Sequence, residues 1–265
     1  MKKIIKLILS LILIISLSGC LSLKTYDDLL SEYQNYIYEN EANYQLHIDY
    51  FNHISTESIR SVVLVKKTSF GTSGSTTGSG VIYREDSLYY YALTNNHVVY
   101  SASGISATYQ VSDYLGNDYQ ATKLASNPDY DLAIVRFRKN SASLDVINFA
   151  SENAVPSDWL AVMGYPSFQI NAITLGSLIH YASITIENAN PDMINVNFDI
   201  MVSDAPVKSG SSGSVVINQH FELVGIIYAG NFQNDAATAT YSFAIPLDKV
   251  IEFLETADPL FGGEA

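Results

Sequence analysis

The 265-residue chain holds a single cysteine and a single tryptophan, and it has 14 Lys+Arg against 27 Asp+Glu. One thiol, Cys20, excludes an internal disulfide framework and any multi-cysteine metal site. The shortage of positive charge leaves a formal net charge of −13. Gripping a nucleic-acid backbone requires a basic surface, so no nucleic acid is expected as a partner. No pair of histidines has ligand spacing on one helix, and no metal is expected. The Gly/Ser/Thr-rich stretch 70–80 is not followed by the Gly-Lys-Ser/Thr of a phosphate loop, and no cofactor is expected. Internal repeats are absent, and long amphipathic patterns are missing until residues 247–254. Charged residues make up only 15% against 48% hydrophobic, which argues against a disordered chain and can fill a sizeable core. The length fits one large domain or two small ones.

The first twenty residues have a separate logic. Lys2, Lys3 and Lys6 precede an apolar run over residues 7–17, and Leu17-Ser18-Gly19-Cys20 follows. A basic start, a short apolar segment and small residues make a secretory signal. The apolar segment is too short to span a bilayer as a mature helix. The Leu-Ser-Gly-Cys ending resembles the lipobox of bacterial lipoproteins. That resemblance implies removal of residues 1–19 and lipidation of Cys20. The protein would then be exported and anchored to the outer face of the cell membrane. The alternative is an ordinary signal peptide with an incidental cysteine. Residues 20–57 are expected to form a membrane-proximal helical extension. Leu29, Leu30, Tyr33, Tyr36 and Ile37 recur at roughly helical spacing, giving one or two helices to about Ser55. Tyr44, Leu46, Ile48 and Tyr50 could equally alternate as a short strand. The segment is a spacer, a cap, or a plain extra helix packed on the core.

From Ser58 the texture changes. Short apolar runs at 61–65, 80–83, 89–94, 132–137, 160–163, 194–198, 214–217 and 223–228 sit between Gly, Ser and Asn clusters. With 19 tyrosines, the pattern predicts an all-β barrel or sandwich closed by a short helix at 247–254. The polar-rich stretch 140–158 divides the strands into two groups.

Three motifs carry chemistry. Thr94-Asn95-Asn96-His97-Val98-Val99 closes one strand, Asp131-Leu132-Ala133-Ile134-Val135 opens another, and Gly210-Ser211-Ser212-Gly213-Ser214 is a glycine-flanked turn before a third. Amide hydrolysis needs a nucleophile, a base and a group that orients the base. A serine hydroxyl is too weakly acidic to attack unaided, whereas an imidazole can take its proton and return it to the leaving amine. A carboxylate behind the ring fixes the tautomer and stabilises the imidazolium. Glycines beside Ser212 let backbone N–H groups converge on a developing oxyanion. Each motif alone reads as an ordinary strand end or turn; the three in this order, within a two-part β chain, do not.

At these residues the chain resembles the trypsin-like serine proteases of bacterial exported branches. Gly78-Ser79-Gly80-Val81-Ile82, the His97 motif, residues 158–166, Ser203-Asp204-Ala205 and residues 241–246 are similar to HtrA/Deg-type enzymes. Residues 131–137, 210–214 and 222–226 are equally similar to glutamyl endopeptidases. The resemblance covers about residues 58–258. It implies two antiparallel six-stranded β-barrels, at about 58–145 and 155–248, with His97 as base, Asp131 as orienter and Ser212 as nucleophile. The N–H groups of Gly210 and Ser212 would form the oxyanion hole, and the partners would be protein or peptide substrates. Asp129 is expected to be a turn residue, and His47, His53, His180 and His220 surface or packing residues. Lys208 is expected in solvent. No PDZ-like segment follows Leu254.

Glutamyl endopeptidases place a histidine where this chain has Ile227, so strict Glu specificity is not expected. The P1 pocket is expected between the segment before the nucleophile and the strand after it, walled by Val207, Ile227 and Tyr228. Those walls suit small or medium apolar side chains, unless loops elsewhere supply the pocket. Two other functions remain open. One is a degenerate protease-fold surface lipoprotein that serves as a binding or adhesion module. The other is an esterase on the same barrel, though the serine turn runs into a strand and not into the helix of a lipase-type elbow.

Overall fold

The structure is a computed structural model that describes residues 26–70, 74–140, 143–166, 172–186, 190–232 and 237–262. Cys20 and the signal segment lie outside the described residues. The chain divides into two compact units, residues 1–49 and 50–265. Helix α1 (Tyr26–Thr56) is continuous through the stretch where a strand was open. Within the second unit, Tyr50 and Ile54 stand four residues apart on one helix face, and both are buried. Tyr50 lies 5.0 Å from the Trp159 ring and 5.1 Å from the Phe221 ring, and its hydroxyl donates to Asn218 O at 2.9 Å. No helix among the described residues is long and apolar enough to cross a membrane.

Strands β1 (Val62–Ser69), β2 (Ser75–Glu85), β3 (Tyr89–Thr94), β4 (Ala107–Ser112), β5 (Asp118–Asn127) and β6 (Leu132–Arg138) close into one barrel. Its order is β1-β2-β3-β6-β5-β4, antiparallel throughout. A short helix, α2 (Asn96–Val99), follows β3. The second closed barrel joins β7 (Trp159–Gly164), β8 (Ala172–Ala182), β9 (Ile200–Ser203), β11 (Val215–Ile217), β12 (Leu223–Gly230) and β14 (Ser242–Pro246). Its order is β11-β12-β14-β9-β8-β7, also antiparallel. Beside it, β10 (Val207–Lys208) pairs with β13 (Thr238–Ala239). Closure pairs every strand on both sides, which removes the exposed edges of an open sheet.

Period-two alternation divides the core. Tyr90 and Ala92 of β3, with Ala133, Val135 and Phe137 of β6, fill the first barrel. The opposite faces of the same strands, through Tyr91, Leu93, Leu132 and Ile134, join the larger apolar cluster that runs into the second barrel. Strands buried on both faces therefore read as unbroken apolar runs. One expected strand is not there: among residues 194–198, Ile194, Val196 and Phe198 are half-buried in a loop. Their alternation records packing onto the core without strand pairing.

Helix α3 (Leu247–Ala257) buries Leu247, Val250, Phe253 and Leu254 and ends at Asp258, whose N–H bonds Leu254 O at 2.8 Å. The Asp258 carboxylate accepts from Tyr83 Oη at 2.7 Å and from Arg84 Nε and Nη2 at 2.7 and 3.2 Å. This clamps the chain end to β2. Burial pushes the Asp258 carboxyl up, but the Arg84 and Tyr83 bonds outweigh it and hold the group below its ordinary value. A depressed carboxyl stabilises the fold above the ordinary carboxylate pKa and loses that contribution as pH falls through its folded value. Asp258→Asn should therefore cost about 2–4 kcal/mol at pH 7. In urea denaturation the gap from the unsubstituted protein should narrow below about pH 4. An equal gap at pH 7 and pH 3 would contradict the clamp.

Candidate active site

The histidine turn is held from below by its two asparagines. Asn95 Nδ2 and Asn96 N donate to Asp131 O at 2.9 and 3.1 Å. Asn96 Nδ2 donates to the carbonyls of Asp192 and Met193 at 3.1 and 2.8 Å. So placed, His97 meets Asp131 twice. Its backbone N–H donates to Oδ1 at 3.0 Å, and its ring Nδ1 lies 2.7 Å from Oδ2. An ionised carboxylate only accepts, so the proton belongs on Nδ1 and Nε2 keeps its lone pair for the cleft. Asp131 is fully buried and sits at φ 49°, in the left-handed region that Asp tolerates better than most residues. Burial pushes its carboxyl up, while the His97 charge and hydrogen bonds pull it down without fully offsetting burial. Asp129 is exposed and takes a bond from Asn195 Nδ2 at 2.6 Å, away from the imidazole.

The serine turn is a chain of short backbone bonds. Ser211 N donates to Lys208 O at 3.0 Å, Ser214 N to Ser211 O at 2.8 Å, and Gly213 N to Ile227 O at 2.8 Å. Gly210 has φ +89° at the third position of the first of these turns, which is the geometry of a type II turn. Gly213 has φ +85°, and a Cβ there would collide with Ser79 O.

Ser79, on β2 of the first barrel, ties this turn down. Its N–H donates to Ser212 O at 2.7 Å and its hydroxyl to Gly210 O at 3.0 Å. The same hydroxyl accepts from Tyr165 N at 2.9 Å and Ser214 Oγ at 3.2 Å, and Ser79 O accepts from Thr94 Oγ1 at 2.7 Å. A Cβ on Gly78 would stand 2.6 Å from Val98 Cγ2 and 2.8 Å from Ser212 O. That bare backbone therefore lets the residue after His97 and the carbonyl of Ser212 approach each other.

Among the described residues no hydrogen bond joins Ser212 Oγ to His97. Catalytic hydrogen bonds are often long before substrate arrives. The N–H groups of Gly210 and Ser212 likewise meet no acceptor among the described residues. No group of three or more His, Cys, Asp or Glu among those residues could hold a metal ion.

Beside Ser212 opens a cavity of about 430 Å³ lined by Val207, Lys208, Ile227, Tyr228, Gly230 and Phe232, among others. Val207 points across it, because a Cβ on Gly230 would lie 2.7 Å from Val207 Cγ2 and 2.8 Å from Ala239 Cβ. Lys208, expected in solvent, is half-buried and lines the cavity. Sequence reasoning did not single out Ser79, Thr94 or the two asparagines as site residues. The one signal for Ser79 was its place between two glycines.

A family profile described as a trypsin-like peptidase domain matches residues 78–226. A probable serine protease do-like of Buchnera aphidicola is 33% identical over 176 residues, covering 65% of this chain and 34% of its own. The mitochondrial serine protease HTRA2 of Drosophila virilis is 29% identical over 181 residues, covering 68% of this chain and 39% of its own. The chain thus spans between a third and two-fifths of the length of these curated relatives. Among solved structures, the active form of the Rv3671c protease from M. tuberculosis superposes with a TM-score of 0.63 at 21% identity, over 76% of this chain and 82% of that one. The serine endoprotease from Yersinia pestis gives 0.61 at 24%, over 78% and 66%. The solved structures show the same fold. The profile match reaches into both barrels and includes the His97, Asp131 and Ser212 turns, and the chain belongs to the trypsin-like peptidase family.

Proposed function

We propose that the chain is a serine endopeptidase working through His97, Asp131 and Ser212. The observation that carries this reading is the 2.7 Å contact of His97 Nδ1 with the buried Asp131 carboxylate, on a turn packed beside the serine turn. Ser212 Oγ attacks the scissile carbonyl while His97 Nε2 takes its proton. Asp131 holds the ring and stabilises the imidazolium. The oxyanion forms against the N–H groups of Gly210 and Ser212, which the turn presents in advance of substrate. His97 then protonates the leaving amine, and a water repeats the sequence on the acyl-enzyme. The peptide lies extended along β12, whose edge past Ile227 loses its β11 partner and is free to pair with an added strand.

The P1 side chain enters the cavity beside Ser212, where Val207 faces Gly230 and narrows the slot. Small or medium apolar side chains gain roughly 1–3 kcal/mol against Val207 and Ile227, and a basic group, which Lys208 on the lining would repel, pays several. The wider reading is that residues 1–19 are a lipoprotein leader and residues 20–57 a spacer. Residues 58–258 form the peptidase domain, which acts outside the cytoplasm from a lipid anchor on Cys20. One relative is named a probable periplasmic serine endoprotease DegP-like, which supports an extracytoplasmic site of action.

Three measurements test this. Ser212→Ala and His97→Ala should each lower kcat by roughly 10⁴–10⁶, with the double variant scarcely worse, because the members act as a unit. Full peptidase activity in purified Ser212→Ala would refute the nucleophile. In a P1-varied peptide library, cleavage should be strongest after Ala, Val or Leu; a maximum after Glu, Lys or Arg would show that Val207 and Ile227 are not the walls. Cys20→Ala should release protein from the membrane fraction or stall processing, and unchanged partitioning would dismiss the anchor.

A further inference from the structure

Tyr228 is buried with 2% of its surface exposed, and its hydroxyl has no hydrogen-bond partner among the described residues. A buried hydroxyl normally finds a partner, since leaving one unmade is costly. Burial first, and the Asp131 charge second, push the phenol's pKa up, so the group stays protonated and able to donate.

Tyr228 borders two cavities. One is the cavity beside Ser212. The other, of about 200 Å³, lies under the loop that leads from β8 to β9. Its apolar walls are Ile184, Ile186, Ile194 and Val196, and no ionisable side chain other than Tyr228 lines it. Thr185 adds a hydroxyl, and Asn195 and Asn197 also line it, each with one amide N–H engaged. Asn195 Nδ2 donates to Asp129 Oδ1 at 2.6 Å and Asn197 Nδ2 to Asn195 O at 2.8 Å. The cavity thus offers apolar walls, hydroxyls from Tyr228 and Thr185, and no counter-charge.

A peptide paired along the free edge of β12 turns successive side chains to opposite faces. If P1 fills the cavity beside Ser212, the preceding residue, P2, turns to the other side of Tyr228. We propose that the second cavity takes the P2 side chain, and that the Tyr228 hydroxyl selects one ending in an uncharged hydrogen-bonding group, such as Thr, Asn or Gln. A charged head is disfavoured because nothing in the lining neutralises it. An apolar head is disfavoured because it leaves the Tyr228 hydroxyl unpaired. This rests on the endopeptidase reading.

The test uses peptides with a fixed apolar P1 and near-isosteric P2 pairs: Thr against Val, Gln against Met, Asn against Leu. In the unsubstituted protein kcat/KM should favour the polar member by roughly ten- to a hundredfold. In Tyr228→Phe that ratio, read within each pair so that any change at the cavity beside Ser212 cancels, should collapse towards one. Equal rates within the pairs, or the same preference kept by Tyr228→Phe, would overturn the assignment. Fluorophosphonate labelling of Ser212 separates the two readings. Labelled, cleaving enzyme without a P2 preference removes this inference alone. Absence of both labelling and cleavage removes the endopeptidase reading and this inference with it.

Discussion

The candidate site depends on one serine in the first barrel holding a turn in the second. Each barrel closes on itself, so nothing in their sheet hydrogen bonding fixes where one lies against the other. Ser79 supplies that link with four hydrogen bonds, to Ser212, Gly210, Ser214 and Tyr165, and is itself held by a fifth from Thr94 of its own barrel. Their net worth is modest, about 1 kcal/mol apiece, but every partner is buried or close to it, and removing the hub would strand several polar groups at once. Gly78 and Gly213 are the steric half of the same constraint. Each stands where a side chain would collide with the opposing backbone. Such a joint sets the serine turn before any substrate arrives. Donors aimed at a developing oxyanion are effective only when the protein need not reorganise to present them.

A second balance sits behind the histidine. Burying the Asp131 carboxylate is unfavourable, and its raised pKa reflects that cost. What offsets it is geometry: two contacts from His97 and a backbone pegged by Asn95 and Asn96. The left-handed conformation at Asp131 is tolerable because the surrounding hydrogen bonds determine it. The paired asparagines in the motif are therefore mechanical parts. Without them the histidine turn would lack its hold on both the Asp131 hairpin and the loop at residues 190–197.

These facts explain which parts of the fold were legible in the sequence. Strands β3 and β6 are buried on both faces and announce themselves as apolar runs. Strand β5 alternates exposed with less exposed positions, and β4 and β8 are half-buried along most of their length, so polar residues interrupt their runs and sequence reading passed over them. The half-buried loop side chains Ile194, Val196 and Phe198 imitated a strand because packing onto a curved core can also alternate. The His97, Asp131 and Ser212 motifs stood out by order and by flanking glycines. Ser79 did not, since a serine's tertiary hydrogen bonds leave no trace in local pattern. The P1 wall shows a subtler limit. The family resemblance pointed to Tyr228 as a wall of the expected pocket, but no local pattern shows that it borders two cavities.

That second cavity is bounded by the same loop that holds the histidine turn. Asn96 bonds the carbonyls of Asp192 and Met193, while Asn195 bonds Asp129 and Pro128 on the hairpin that carries Asp131. The walls at Ile194 and Val196 therefore belong to a segment whose position is set by the groups that orient the imidazole. A side chain seated against those walls would press on the mounting of His97, the proposed base, and a poorly fitting one would disturb it. Interactions made at that distance from the scissile bond can alter kcat as well as KM, because they bear on how well the base is placed when the proton moves.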